Sequence, residues 1–320
     1  MSITDTATVD RTVVSPTLAA DAAPGAPAAP LSKKKFGFAF WLAVSWLGFL
    51  VLCATSVNKL PIRKKDDTDY LLAAAMGDGS VHWARTFGRA HYLGVDNNGN
   101  DLLTYALNGA RISLTVGVAT IVLGVVGGGI LGMLGGFFRG RLESVFTFLT
   151  NALLSIPPLL FLLLLVSVMA AQSGRVSLPR FIATLGALTV PTYYRLVRAS
   201  TLQQATREYV LAARSLGAKR VRILVREILP NVIKPIMAQA LIGVGAVIVV
   251  EGTLSYLGAG MGGDTISWGR MMQDASGLSK MQQSPHAMFV PAGFIFLTVL
   301  SLNFVGDKIR ERLEVKQSNI

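Results

Sequence analysis

LAARSLGAKRVRILVREILPN, residues 211–231, decides how the rest of the chain is read. It holds five basic residues, Arg214, Lys219, Arg220, Arg222 and Arg226. Its apolar residues Ala213, Leu216, Val221, Leu224 and Ile228 return at near-helical spacing. Gly217 predicts a break between two helices, and Pro230 a stop after the second. A segment this basic cannot enter lipid, so the apolar chain around it has to be placed relative to it.

Hydrophobic residues are 52% of the 320 and charged residues 15%, against roughly 25% charged in a soluble domain. The apolar surplus exceeds what one aqueous core absorbs and points to a membrane. The lone Cys53 sits in an apolar run, so no disulfide or thiolate metal site forms within the chain. His82, His91 and His286 form no cluster at ligand spacing, and no metal site is expected.

A membrane helix needs about 20 mostly apolar residues. Runs of that kind cover residues 36–57, 112–138, 144–174, 235–250 (resuming beyond Glu251 to 258) and 281–306. Pro157 and Pro158 predict a kink in the third. Residues 181–194 are short for a span, and charge decides their case, because Lys and Arg gather in short cytoplasmic segments. With Lys33, Lys34 and Lys35 inside, Arg139 and Arg141 are inside too. If 181–200 spans, with Arg195 and Arg198 snorkelling at its end, the nine basic residues of 195–234 lie inside. Lys308, Arg310, Arg312 and Lys316 then follow them. If it does not span, both basic blocks fall outside. The expected fold is an all-α integral membrane protein with six transmembrane helices and both termini cytoplasmic. The formal charge of +12 is then mostly a topology signal, and nucleic acid is not an expected partner.

This divides the chain into an Ala/Pro-rich disordered tail (1–32), a first transmembrane helix (33–57), an external loop (58–111), a five-helix core (112–306) and a cytoplasmic C-terminus (307–320). The core is interrupted by the cytoplasmic loop 195–234. A signal peptide is the rival reading of the first helix, but its apolar run is too long for one. Gly124, Gly128, Gly132 and Gly136 recur every four residues along one helical stripe, which suits close packing of a neighbouring helix; lining a pore is the alternative. Asn151 and Asn303 are expected to hydrogen-bond between helices. Trp268 is expected as an interfacial anchor, with packing over the external mouth as the alternative. On composition, 195–234 is either a solvated loop resting on anionic headgroups or a helix docked in a partner's groove.

EYVLAARSLGAKRVRILVREILPN, residues 208–231, resembles the cytoplasmic signature of ABC-importer permeases, with Ala212, Ala213, Gly217, Leu229 and Pro230 matching it. Three further stretches are similar to the peptide/nickel branch of those permeases: LGVDNNGNDLLTYALNGARISLTVG (93–117), EGTLSYLGAG with SWGRMM (251–260 and 267–272), and LTVLSLNFVGDKIRERL (297–313). The likeness covers about residues 90–313, in order.

The resemblance implies one half of a translocation pathway in the cytoplasmic (inner) membrane. It implies a second related permease, two ATP-binding subunits and an external substrate-binding protein as partners, besides the lipid bilayer. No G-x-x-x-x-G-K-[ST] phosphate loop occurs, so the chain is expected to be no enzyme and to hold no cofactor, with ATP and Mg on the partner subunits. Glu208, Leu211, Ala212, Ala213, Arg214, Leu216, Gly217 and Ala218 are the expected coupling helix that docks the ATPases. Peptides are the expected cargo, with nickel or other small cargo as the alternative.

Glu251 is the one acid inside its span, and a bare charge there costs about 3 kcal/mol. It is expected either on the substrate pathway, meeting a peptide's amino terminus, or in a hydrogen bond to a neighbouring helix or permease. Asn151 is the other pathway candidate. An ion-coupled secondary transporter would need more mid-membrane charge. A membrane enzyme would need a converging nucleophile and base, and no catalytic set suggests itself.

Overall fold

A computed structural model of the chain describes residues 37–57, 67–88, 91–262 and 265–317. The tail expected over 1–32 lies outside them. Apart from a single bridge between Val95 and Asp101, the described residues form helices, turns and loops.

The long helices are α1 (Phe38–Ser56), α3 (Leu102–Phe138), α6 (Leu178–Ala205), α9 (Leu229–Tyr256) and α12 (His286–Gln317). Shorter ones are α2 (Tyr70–Gly77), α4 (Arg141–Leu154), α5 (Pro158–Ser173), α7 (Glu208–Ser215), α8 (Arg220–Arg222), α10 (Trp268–Asp274) and α11 (Leu278–Gln283). Among the described residues, four helices are long and apolar enough to cross a membrane. They are α1, α3, the continuous run Arg220–Tyr256, and α12. The pair α4 and α5 makes a fifth if its two halves form one crossing.

The kink expected at Pro157 and Pro158 is close to a right angle: α4 and α5 are bent by 85°. Neither proline has an N–H to carry the helix ladder, so the chain leaves helix at residues 155–157 and restarts with Pro158 in the first turn. α3 begins well ahead of Ile112. Asp101 caps it by accepting from the Thr104 N–H at 2.8 Å, so the helix extends beyond the uncharged run.

Pro230 does not stop the helix as expected. Residues Ile223–Ile228 take a π-helical turn in which the Leu229 N–H bonds the Leu224 carbonyl. The wider turn absorbs the missing proline N–H, and helix continues through to Tyr256.

The packing fixes the direction of each helix. α3 and α6 run side by side in the same direction: Gly124 faces Thr189, Gly128 faces Val190 and Tyr194, Gly132 faces Val197, and Gly136 faces Thr201. With no side chain on this stripe, the backbones approach closely. α9 runs opposite to α3, with Glu251 against Ser113 and Val244 and Ile248 against Gly117. α12 runs opposite to α9, with Ile295 against Gly252 and Val299 against Gly245. α1 runs opposite to α12: Trp46 donates to Thr298 at 3.3 Å, and Phe40 and Ala43 cluster with Val305.

One end of the assembly therefore gathers the start of α1, the ends of α3 and α12, and α7 and α8. The other end gathers residues 67–101, α10 and α11. There, Trp83 stacks on His286 at 5.4 Å, and His286 donates to the Val95 carbonyl at 2.9 Å.

Candidate functional site

α7 is eight residues long, too short to stand alone in water. Its inner face is anchored by Val210, which is fully buried. The Tyr209 hydroxyl donates to Gln204 at 2.8 Å and accepts from the Asn231 amide at 3.4 Å. At the C-terminus Gly217 takes φ +77°. The Gly217 N–H bonds the Arg214 carbonyl at 2.9 Å, and the Ala218 N–H bonds the Ala213 carbonyl at 3.0 Å. This pair of bonds closes a helix through a left-handed residue, a conformation that glycine adopts without strain. Glu208 in the first turn suits the positive end of the helix. Arg214 lies 5.8 Å over the Phe137 ring and ties α7 to the end of α3.

The outer face of α7 is uncovered. Leu216 is 88% exposed and Leu211 52%; Ala212 is exposed, and Ala213 and Ala218 are half-buried. Val221 on α8 adds to the apolar surface, and Arg207, Lys219, Arg220 and Arg222 stand exposed around it. A leucine moved from water into a protein groove contributes about 1.5–3 kcal/mol. A small apolar knob ringed by cations, on a helix with both ends fixed, is suited to insertion into a groove on another protein.

A polar cluster at the opposite end joins α3, α9 and α10. Glu251 is fully buried; it accepts from Ser113 at 3.0 Å and from Ser255 at 2.8 Å. Ser113 in turn accepts the Trp268 backbone N–H at 3.3 Å, and the indole N–H donates to the Ala106 carbonyl at 2.8 Å. Trp268 is thus an interior residue rather than the interfacial anchor expected from sequence. Gly109 on α3 and Gly252 on α9 leave the notch that admits Trp268 and Gly269.

Polar contacts join α4 to α6, among them a bond from the Tyr194 hydroxyl to the Glu143 carbonyl at 3.3 Å. Arg198 pairs with Glu143, Nε to Oε1 at 2.9 Å. Tyr194 and Thr147 share a hydrogen bond at 3.0 Å. Arg195 donates to Asn151 at 2.7 Å.

The eight residues expected to form the coupling helix fall together on α7 and its closing turn. Glu251 and Asn151 do not meet: one is enclosed at one end of α9, and the other bonds Arg195 near the α4–α5 bend. Sequence reasoning passed over Tyr209 and Asn231, which fasten α7 to α9, although both lie in the quoted segment. It also passed over Glu143 as the partner of Arg198, since nothing local relates residues on α4 and α6. Among the described residues no group of His, Cys, Asp or Glu could hold a metal ion.

Residues 124–317 match the family described as binding-protein-dependent transport system inner membrane component. The chain is 37% identical over 230 residues to the oligopeptide transport system permease protein OppC of Bacillus subtilis (strain 168), covering 71% of this chain and 72% of that one. It is 34% identical over 227 residues to the glutathione transport system permease protein GsiD of Pectobacterium atrosepticum, covering 71% and 73%. With OppC of Escherichia coli (strain K12) it shares 35% identity over 277 residues, covering 86% and 87%.

Proposed function

The chain belongs to the binding-protein-dependent transport system inner membrane components, and from that premise we propose that it is a permease subunit of an ATP-driven peptide importer. It forms half of a pathway for di- or oligopeptides across the cytoplasmic membrane, and a second related permease forms the other half. Two ATP-binding subunits dock on α7 from the cytoplasm, and an external binding protein delivers the peptide. The names of the similar permeases, for oligopeptides and glutathione, support a peptide cargo.

The observation that carries this reading is the uncovered knob of Leu211 and Leu216 on a helix closed at Gly217 and fastened to α9. Closure of the ATPases pulls on that knob, and α9 turns the pull into a switch between inward-open and outward-open arrangements. Six crossings, with α4 and α5 counted together as one, are supported by the parallel course of α3 and α6, which suits a return of the chain between them. The basic residues of 195–234 support a cytoplasmic side for α7 and for both termini. The enclosed bonding of Glu251 supports its role as an interhelical tie within this chain.

The test is uptake of labelled peptide by the assembled transporter with its binding protein and ATP. A well-expressed Gly217→Trp variant is expected to lose ATP-driven uptake while the binding protein still captures peptide. Normal uptake by that variant, or labelling of residues 211–217 from the outer face, overturns the reading.

A further inference from the structure

The space between α5 and α6 is an open apolar groove of about 440 Å³. Phe161, Leu165 and Met169 line one wall, and Leu188 and Thr184 the other. Leu153 closes one end, beside the Asn151–Arg195 pair. One charged residue, Arg180, lines this groove.

Its level follows from the register of α3 and α6. Gly124 faces Thr189 and Gly136 faces Thr201, so each α6 residue lies level with an α3 residue numbered 65 lower. Gly186 against Leu123 extends that register nearly unchanged toward the start of α6. Arg180 therefore falls level with residues 115–117, beside the uncharged run of α3. Trp268, at the outer end, packs on Gly109. At 1.5 Å per residue, Arg180 lies about 10 Å further along α3 than that layer. Arg180 stands exposed in the first turn of α6, so its guanidinium is open to an incoming anion.

The geometry points to Arg180 as a peptide-binding residue: it receives the C-terminal carboxylate of the transported peptide while the α5–α6 groove takes the adjacent apolar side chain. This inference rests on the peptide reading above. The match is one of charge and shape. Arg presents a fork of donors to a planar carboxylate, and no acidic residue lines the groove to compete for it. The free α-carboxylate is shared by all linear peptides whatever their sequence, so a single cation serves a broad range of cargo. The apolar walls select by size and not by side-chain chemistry.

The test uses the assembled transporter in proteoliposomes, with saturating binding protein and a labelled tripeptide. Arg180→Cys is expected to lower ATP-driven uptake about tenfold, the loss of one charge-assisted contact. The native Cys53 is buried on α1, and wild-type transporter treated in parallel controls for other thiols. A cationic aminoethyl thiosulfonate on the introduced thiol is expected to restore most of the uptake, and an anionic sulfonatoethyl one to restore none. Equal recovery with both reagents, or wild-type uptake by unmodified Arg180→Cys, overturns the inference. So does a defect seen only in vesicles containing anionic lipid, which would make Arg180 a headgroup anchor. If the wild-type transporter imports no peptide at all, the peptide reading itself fails; Arg180→Cys failing in a peptide-importing transporter bears on the groove alone.

Discussion

Asn231, two residues into α9 from its N-terminal leucine, donates its side-chain amide to the hydroxyl of Tyr209 on α7. The same side chain also bonds the Glu227 carbonyl at 3.0 Å, in the π-helical turn. Three segments thus meet at one amide: the proposed docking helix, the π turn and the long helix behind it. Twenty residues along α9, Glu251 fixes the far end to α3. A continuous helix of that length, with Pro235 inside it, spans about 30 Å, so a displacement of α7 can reach the Glu251 cluster without passing through a loop.

Asn231→Ala is expected to uncouple the two ends rather than unfold the protein. ATP-driven uptake should fall about fivefold, the lower range of coupling energies between sites, with the amount of assembled transporter unchanged. Tyr209→Phe should give a similar loss. The double variant should lose less than the sum of the two, because both break the Tyr209–Asn231 contact while each also loses a bond of its own, to Gln204 or to the Glu227 carbonyl. Additive losses in the double variant would mean that the two residues act separately.

The glycine stripe on α3 makes a contrast between neighbouring positions. A Cβ at Gly128 would lie 2.7 Å from the Tyr194 amide nitrogen, whereas at Gly129 nothing lies within 4 Å. Gly128→Ala is expected to destabilise by about 1–3 kcal/mol, the usual cost of overpacking. Gly129→Ala should hold or slightly raise stability by its better helix propensity. Thermal unfolding of the detergent-solubilised transporter measures both. Equal midpoints for the two variants would show that α3 and α6 are not pressed together along this stripe.

Glu251 makes a second contrast. Glu251→Leu leaves the Ser113 and Ser255 hydroxyls without their acceptor in a dry interior, at a cost of about 1–3 kcal/mol per unsatisfied group. Glu251→Gln keeps an acceptor oxygen and should cost less. Because Ser113 also holds the Trp268 backbone, Glu251→Leu should shift tryptophan emission to the red as α10 loosens. A variant with unchanged emission and midpoint would remove Glu251 from the list of ties.

Sequence carried the long apolar helices and the short helix closed at Gly217 because each leaves a local mark. Charge-free length marks α1, α3 and α12, Gly217 marks the left-handed closure, and spacing of four marks the stripe. The features it missed depend on residues far apart in the chain. The burial of Trp268 needs Gly109 and Gly252 on two other helices to make room. The partners of Glu143 and Asn151 lie on α6, roughly fifty residues away. Proline marks a true interruption at Pro157 and Pro158 but not at Pro230, where helix continues. Pro157 and Pro158 turn the chain by 85°, while Pro230 is absorbed by a π turn. The sequence around each proline does not say whether neighbouring helices will hold the freed backbone.

Asp96 brings pH into the loop ahead of α3. Burial pushes its carboxyl above the ordinary carboxylate value of 3.8, and the like charge of Asp274 adds to this. Hydrogen bonds from Asn100 and Asn98 pull the other way, including two backbone N–H donors at 2.8 Å. An acid whose folded value is raised binds its proton more tightly in the folded loop than in the open one. Its stabilising contribution is full below pH 3.8 and is lost as pH rises through the folded value. Wild-type protection of residues 93–101 against hydrogen exchange, corrected for intrinsic rates, should therefore decline with rising pH across that window. Asp96→Asn keeps a carbonyl acceptor for the Asn98 and Asn100 N–H groups but has no proton to lose, so its protection should be flat there. A wild-type slope equal to that of the variant would assign the loop's pH response to another group.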